Sequence, residues 1–484
     1  MRRWAASALT SSSRSLPSRT TRRAQSALAA AARPVPKDFP PAKSTASTPG
    51  PSITIKDSRP DPFHIVAPQL AQLRTTLFNL LGSSHPELQT VAQYYFSHPS
   101  KQLRPLLVLL FAQATNGLGR AYPQVASSVL NAGVPNASAG KTGMEPLDAP
   151  LTRHDVLNDY NPRMPDDTAS FSTTFALRKP SGPTGARFTP TPALSEYRPA
   201  VANTLLPTQQ RLAQIVEMIH VASLLHDDVI DMSPLRRGAP SAPNAFSPKL
   251  AVLGGDFLLG RASAALARLG SNETVELIAS VIANLVEGEV LQIRPPDARV
   301  EAELNTTVKV AETQGDAVHS ASWQIYLQKT YMKTASLMAK GARAAVVLGG
   351  CEDGDIAKEA AYAYGRNLGI AFQLQDDVLD YAASEAQLGK PGNADLKLGL
   401  ATGPALYAWE EHPEMGALIK RRFEQEGDVE LALNLVRRSS GVERTSQLAQ
   451  AHADKAREVL AFLPPSDART ALEALTERVV IRTW

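Results

Sequence analysis

The stretch "LLHDDVIDMSPLRRG" (residues 224–238) gathers Asp227, Asp228 and Asp231 behind an apolar run and follows them with Arg236 and Arg237. A shorter stretch, "LQDDVLDY" (374–381), repeats the spacing with Asp376, Asp377 and Asp380. Carboxylates this close repel one another, so a compensating cation is expected between them. On a helix, positions i and i+4 lie one turn apart on the same face. Asp227 and Asp231 therefore converge, with Asp228 beside them, and Asp376, Asp380 and Asp377 repeat the arrangement. Carboxylates with no Cys or His ligand pattern favour hard ions, Mg²⁺ or Mn²⁺. Two facing clusters would hold a polyphosphate through bridging ions. Ordinary surface charge at an exposed helix end explains one such cluster equally well. It explains two poorly, because both share one spacing and both sit in apolar helical contexts.

Outward from these motifs the pattern is helical. From residue 208 to the end the blocks "QQRLAQIVEMIHVASLLHDDVID", "LAVLGGDFLLGRASAALARL", "NETVELIASVIANLVEGEVLQ", "YMKTASLMAKGARAAVVLG" and "DIAKEAAYAYGRNLGIAFQLQDDVLDY" carry apolar residues at helical spacing, with Gly and Pro clustered between them. Upstream, Val66, Leu70, Leu73, Leu77 and Leu80 share one face, and "PLLVLLFAQAT" reads as a buried helix opened by Pro105. No alternating strand series and no glycine-rich phosphate loop interrupts this. The class is all-α, a large bundle with a central cavity between the two Asp-rich helices.

The 484 residues carry a net charge of +3, unevenly spread. Residues 1–37 hold seven arginines, one lysine and many Ser and Ala, and the first acid is Asp38. That composition predicts a mitochondrial transit peptide rather than a secretory signal. The remainder is more acidic, which argues against nucleic acid as a partner. Residues 38–63 are rich in Pro, Ser and Thr and read as a linker. A domain from 64 to 484 follows, interrupted at about 118–207 by a stretch with twelve of the 36 prolines and little periodicity. This is read as a largely disordered surface insertion. One cysteine, Cys351, excludes an intrachain disulfide and a cysteine-based zinc site. No run of eighteen uncharged apolar residues occurs, so no bilayer span is expected.

Cations gather near the acidic motifs: Arg236 and Arg237 after the first, Lys390 and Lys397 after the second, Lys333 in "YMKTASLM", and Lys101 and Arg104 in "SKQLRP". Each alone is more often a solvated side chain. Their placement at helix breaks beside the carboxylates points to an anionic, diphosphate-like ligand.

These residues resemble the trans-isoprenyl diphosphate synthases, above all the long-chain polyprenyl diphosphate synthases that make the ubiquinone tail in mitochondria. The resemblance runs over about 66–116 and from 208 onward, and rests on "EMIHVASLLHDDVIDMSPLRRG", "GIAFQLQDDVLDY" and "GKPGNADLKLGLATGP". It implies the isoprenoid synthase fold and a dimer. It also implies that Asp227, Asp228, Asp231, Asp376, Asp377 and Asp380 bind magnesium ions clamping an allylic diphosphate. Arg236, Lys333, Lys390 and Lys397 would touch that diphosphate; Lys101, Arg104, His220 and Arg237 would hold isopentenyl diphosphate. Thr334 and Gln373 would flank the carbocation. Without the family, His220 reads as a core histidine. One position departs: the family has Gly before the lysine of its "GKxxRP" motif, where this chain has Ser100.

Product length has a handle one turn before Asp227, where Ala222 and Ser223 are small and leave the path of a growing chain open. This favours six to ten isoprene units over a C15 or C20 product. A terpene cyclase would not need the second cationic site of Lys101, Arg104 and Arg237. A non-catalytic subunit would be expected to have lost aspartates that are all present. A product of this length also implies peripheral contact with the inner mitochondrial membrane from the matrix.

Overall fold

The computed structural model describes residues 60–81, 85–98, 100–132, 205–293, 314–382 and 394–482. The chain enters through α1 (Ala67–Leu80) and α2 (Pro86–Tyr94). Then come α3 (Leu103–Thr115), α4 (Tyr122–Ala132), α5 (Pro207–Ile230), α6 (Pro248–Ala267), α7 (Asn272–Ile293) and α8 (Gln314–Thr330). A π turn (Tyr331–Ala335) joins α8 to α9 (Ser336–Leu348), followed by α10 (Ile356–Ala382), α11 (Gly403–Glu411), α12 (Asp428–Arg438), α13 (Gly441–Val459) and α14 (Asp467–Ile481). Among the described residues the only sheet is a two-residue hairpin, β1 (Leu235–Arg236) with β2 (Ala239–Pro240). The all-α reading holds.

The core forms where α3, α5, α9 and α10 meet, with α13 and α14 closing the far side of α10 and α6 lying along α5. Val66, Leu70, Leu73 and Leu77 are buried as their spacing requires, and Leu106 to Phe111 are almost wholly inaccessible. The buried helix begins at Leu103, so Arg104 lies in its first turn and Pro105 just behind it. The start of α5 is secured by Gln209, fully buried. Its Oε1 accepts from the Leu206 amide at 3.0 Å and from Asn116 Nδ2 at 2.9 Å. Its Nε2 donates to Asn116 Oδ1 at 2.7 Å and the Ala345 carbonyl at 3.0 Å. One side chain thus ties the first-motif helix to α3 and α9.

Two differences from the sequence reading concern the insertion and the membrane. Residues 118–132, read as the start of an irregular insertion, contain α4, whose Tyr122 and Ala126 are buried against Leu206. Residues 133–204, with the rest of that insertion, lie outside the described residues, as do the proposed transit segment, nearly all of the linker, and Lys390. Helix α6 is long and apolar enough by length and composition to cross a membrane, although it carries Lys249, Asp256 and Arg261. It packs along α5, and leaves Val252 and Leu253 exposed, as α7 leaves Val286, Val290 and Ile293.

The second-motif helix is brought against the π turn by two glycines. A Cβ at Gly365 would stand 2.6 Å from the Ala339 Cα, and one at Gly369 would stand 2.5 Å from the Ala335 Cα. No side chain fits at either place, so backbone touches backbone. Gly369→Ala should therefore overpack this crossing and lower stability by about 1–3 kcal/mol, read as the shift in the urea unfolding midpoint. Gly260, with open space around it, should accept alanine without that loss.

Candidate active site

The ends of α5 and α10, the π turn, and the segment before α3 surround a cavity of about 750 Å³. On the first-motif side Asp227 and Asp231 border it. Asp228 does not. It is fully buried, its Oδ2 accepting from the Tyr95 hydroxyl and its Oδ1 from Arg236, through Nε at 2.9 Å and through Nη2. All three aspartates were expected in one metal-binding cluster; here i+1 is turned about 100° away on the helix, which points Asp228 into protein. Burial pushes the Asp227 carboxyl up to about 6, with Lys333 opposing and Glu289 and Asp231 reinforcing; Asp231 is raised for the same leading reason.

The second motif divides in the same way. Asp376 borders the cavity and pairs with Arg482 at 2.9 Å. Asp377 also borders it, but its oxygens are engaged, by Tyr326 Oη at 2.5 Å and Gln373 Nε2 at 2.9 Å. Its carboxyl is raised first by burial and next by Asp395. Asp380, expected to converge with Asp376, is buried away from the cavity and accepts from the Asp395 amide at 3.3 Å. Continuing inward, Thr334 Oγ1 donates to Gln373 Oε1 at 2.8 Å, so a hydrogen-bonded line runs from the π turn through Gln373 to Asp377. Thr334 and Gln373 were expected together and are together. π turns inside helices are frequent at functional sites, and this one carries Lys333, whose Nζ pairs with Glu289 and donates to Gln292 Oε1 at 3.1 Å.

A second cationic corner lies across the cavity. Arg104 Nη1 stands 3.1 Å from His220 Nε2. Burial, then Arg104, Arg237 and Arg236, hold His220 well below its ordinary pKa. The ring is therefore neutral, and its Nε2 accepts from the guanidinium. Arg237 donates to the Tyr95 carbonyl at 3.3 Å. Lys101, whose pKa is lowered by burial and by Arg482, stands 6.0 Å from the Phe372 ring centre. Lys397 borders the cavity too. Of the two small residues, Ser223 borders it, its hydroxyl spent on the His220 carbonyl at 2.8 Å, whereas Ala222 is buried in the core and does not. Both were expected beside the path of a growing chain.

Several site residues were missed. Glu217, one turn before His220, is buried among Arg104 and Arg237 and is hydrogen-bonded by Ser100, the residue that departs from the family motif. The i−3 spacing from His220 was a visible signal. Tyr326, Lys329, Glu289 and Gln292 come from helices with no motif of their own. Arg482, stacked 3.7 Å from the Phe372 ring centre, arrives from the end of the chain, and no local pattern could place it.

The oxygens bordering the cavity are hard carboxylates on two sides. Among the described residues, no three acidic, His or Cys groups are already drawn together as a cage. This donor set fits Mg²⁺ held by few carboxylates, with water and substrate phosphate filling the remaining positions. Carboxylates desolvated for this purpose cost stability until a cation arrives. In metal-free protein, Asp227 binds its proton more tightly folded than unfolded, so stability falls as pH rises from about 4 to about 6. Asp227→Asn should match wild type below pH 4 and exceed it above pH 6 by about 1–2 kcal/mol, measured by chemical unfolding in EDTA.

With this geometry in view, comparisons place the chain. The family profile described as "Polyprenyl synthetase" matches residues 183–436. The chain is 43% identical over 424 residues (87% of it, 85% of the relative) to the probable mitochondrial hexaprenyl pyrophosphate synthase of Yarrowia lipolytica. It is 39% identical over 453 residues (87% and 90%) to the mitochondrial hexaprenyl pyrophosphate synthase of Saccharomyces cerevisiae. Among solved structures, a Caulobacter crescentus polyprenyl synthase, crystallised with calcium and isoprenyl diphosphate, superposes with a TM-score of 0.59 at 26% identity, over 87% of this chain and 97% of that one. Two aspartate motifs facing one cavity, in an all-α bundle that superposes on that enzyme, agree with the sequence match, and the chain belongs to the polyprenyl synthetase family.

Proposed function

We propose that this chain is a Mg²⁺-dependent trans-polyprenyl diphosphate synthase. It adds isopentenyl diphosphate head to tail onto an allylic diphosphate and builds the C30–C50 side chain of ubiquinone. The observation that carries this reading is the presence of two separate anion corners on one cavity. One is the carboxylate-bearing corner of Asp227, Asp231 and Lys333; the other is the cationic corner of Lys101, Arg104, His220 and Arg237, where Asp376 acts on Lys101 and Arg104. A cyclase ionises one diphosphate and has no use for the second corner.

Each residue's part follows from its position. Lys333, Lys397 and Arg236 face the place where negative charge grows as the allylic C–O bond breaks and the diphosphate leaves with the electron pair. Fixed cations there stabilise the transition state more than the ground state. Bound Mg²⁺ would supply further charge to the leaving diphosphate and be held by Asp227, Asp231 and Asp376. Thr334 and Gln373 present oxygens beside the allylic cation, and Phe372 and Leu224 exclude water that would quench it. The double bond of isopentenyl diphosphate, gripped by Arg104 and Arg237, attacks the cation and forms the new C–C bond. The proton then lost passes to the released diphosphate. Glu217 supplies the counter-charge that keeps Arg104 and Arg237 in place.

Mitochondrial localisation is supported by the arginine-rich segment and by the mitochondrial names of the relatives. A homodimer is supported by the apolar face of Val252, Leu253, Val286 and Val290 on adjacent helices, which a second copy would cover.

Incubation of purified protein with radiolabelled isopentenyl diphosphate, farnesyl diphosphate and Mg²⁺ should yield a ladder ending between C30 and C50. EDTA should abolish it, and Asp227→Ala should lower turnover at least about 100-fold. A ladder stopping at C20 would make this a short-chain enzyme; activity only with a second polypeptide would make it half of a heteromer. Ser223→Phe, which narrows the cavity beside Leu224, should shift the longest product downward in the same assay.

A further inference from the structure

Tyr95 lies in the short 3₁₀ turn Tyr95–Ser97, five residues before Ser100, and no catalytic motif contains it. Its side chain is nonetheless at the junction of the site. The hydroxyl donates to Asp228 Oδ2 and accepts from the Ala242 amide at 2.8 Å, while its backbone carbonyl accepts from Arg237 Nη1 at 3.3 Å. One residue therefore touches the first-motif helix, the segment after the β1–β2 hairpin, and the arginine of the second corner. Asp228 is left with Tyr95 on one oxygen and Arg236 on the other. Were that carboxylate free, it would add a third negative charge beside Asp227 and Asp231, and Arg236 would lose its fixed partner.

We propose that Tyr95 is a positioning residue for metal and diphosphate binding. By clamping Asp228 against Arg236 it keeps that carboxylate out of the cavity, so that Asp227 and Asp231 alone face the cation. It also holds Arg236 and Arg237, adjacent in sequence, on their separate corners. Strain in the hairpin fits this division: Arg237 adopts a left-handed backbone (φ 54°), rare for a non-glycine residue, and follows an Arg236 already committed to Asp228. Tyr95 reaches the reaction only through these groups.

The inference rests on reading the cavity as a diphosphate site, so binding is measured apart from turnover. Calorimetry would follow farnesyl S-thiolodiphosphate, which ionises slowly, across a series of Mg²⁺ concentrations. The proteins are wild type, Tyr95→Phe, Asp228→Asn and the double variant. Tyr364→Phe is the control: it also deletes one buried tyrosine hydroxyl, the one donating to the Leu472 carbonyl at 2.7 Å, far from the cavity. Tyr95→Phe should raise half-saturating Mg²⁺ by about tenfold or more, the range for loss of a group supporting metal ligands. The double variant should bind no worse than Asp228→Asn alone, because both changes break one clamp. Tyr364→Phe should lower the melting temperature and leave the Mg²⁺ dependence unchanged. If Tyr95→Phe behaves like the control, the proposal is overturned. If it does not fold, Asp228→Asn decides: unchanged Mg²⁺ dependence rejects the clamp, and a displaced one supports it. Wild type that binds the analogue but does not elongate farnesyl diphosphate would sink the synthase reading and leave Tyr95's role intact. Wild type that does not bind it would sink both.

Discussion

Carboxylates that must grip a cation have to be kept from repelling one another before it arrives, and the rest of this structure depends on how that is managed. Three aspartates within five residues cannot all face one cavity. The helix turns the middle one into the protein, where Arg236 and Tyr95 absorb its charge. In the second motif, Asp377 is satisfied by Tyr326 and Gln373, Asp380 is buried with one oxygen accepting from the Asp395 amide, and Asp376 lies beside Arg482. Only a few carboxylates remain turned to the cavity, and those are partly desolvated. Desolvation strengthens whatever they hold and destabilises them while they hold nothing.

Such a site needs a stiff frame, because electrostatic stabilisation depends on groups already in place when charge develops. The frame is backbone packed on backbone. Gly365 and Gly369 let α10 lie directly against α9 and the π turn, which sets the Thr334–Gln373–Asp377 line. The π turn itself moves Lys333 and Thr334 out of the register an uninterrupted helix would give them. Gln209 performs the same service at the opposite end of α5, holding the start of the first-motif helix to α3 and α9.

The two corners of the cavity differ in kind. Around Asp227, Asp231 and Lys333 the charges alternate in sign, as suits an ion and its phosphate. Around Arg104, Arg237 and neutral His220 the groups are donors, with Glu217 as the leading counter-charge to both arginines and Asp376 also acting on Arg104. A hydroxyl at Ser100, where the family has glycine, serves Glu217 and so belongs to the support of that corner. Arg482 links the two sides, pairing with Asp376 while lowering the pKa of Lys101.

The all-α class, the two acidic helices and the cations near their breaks were legible in the sequence. Helical periodicity and i, i+4 spacing are local properties, and burial of apolar stripes leaves a bundle few alternatives. The hydrogen-bonded pair Thr334 and Gln373 was reachable through resemblance alone. Tertiary structure decided which aspartates face the cavity, because the helix fixes only their angular separation and its neighbours decide which angle meets solvent. It also decided that Ala222 turns to the core while Ser223 turns to the cavity, and that residues 118–132 contain a packed helix in a stretch whose composition read as irregular. Tyr95, Glu217 and Arg482 became site residues only through contacts spanning more than a hundred positions, or through a buried neighbour's charge. No local pattern records such contacts, because their free energy comes from groups that the chain brings together only when it folds.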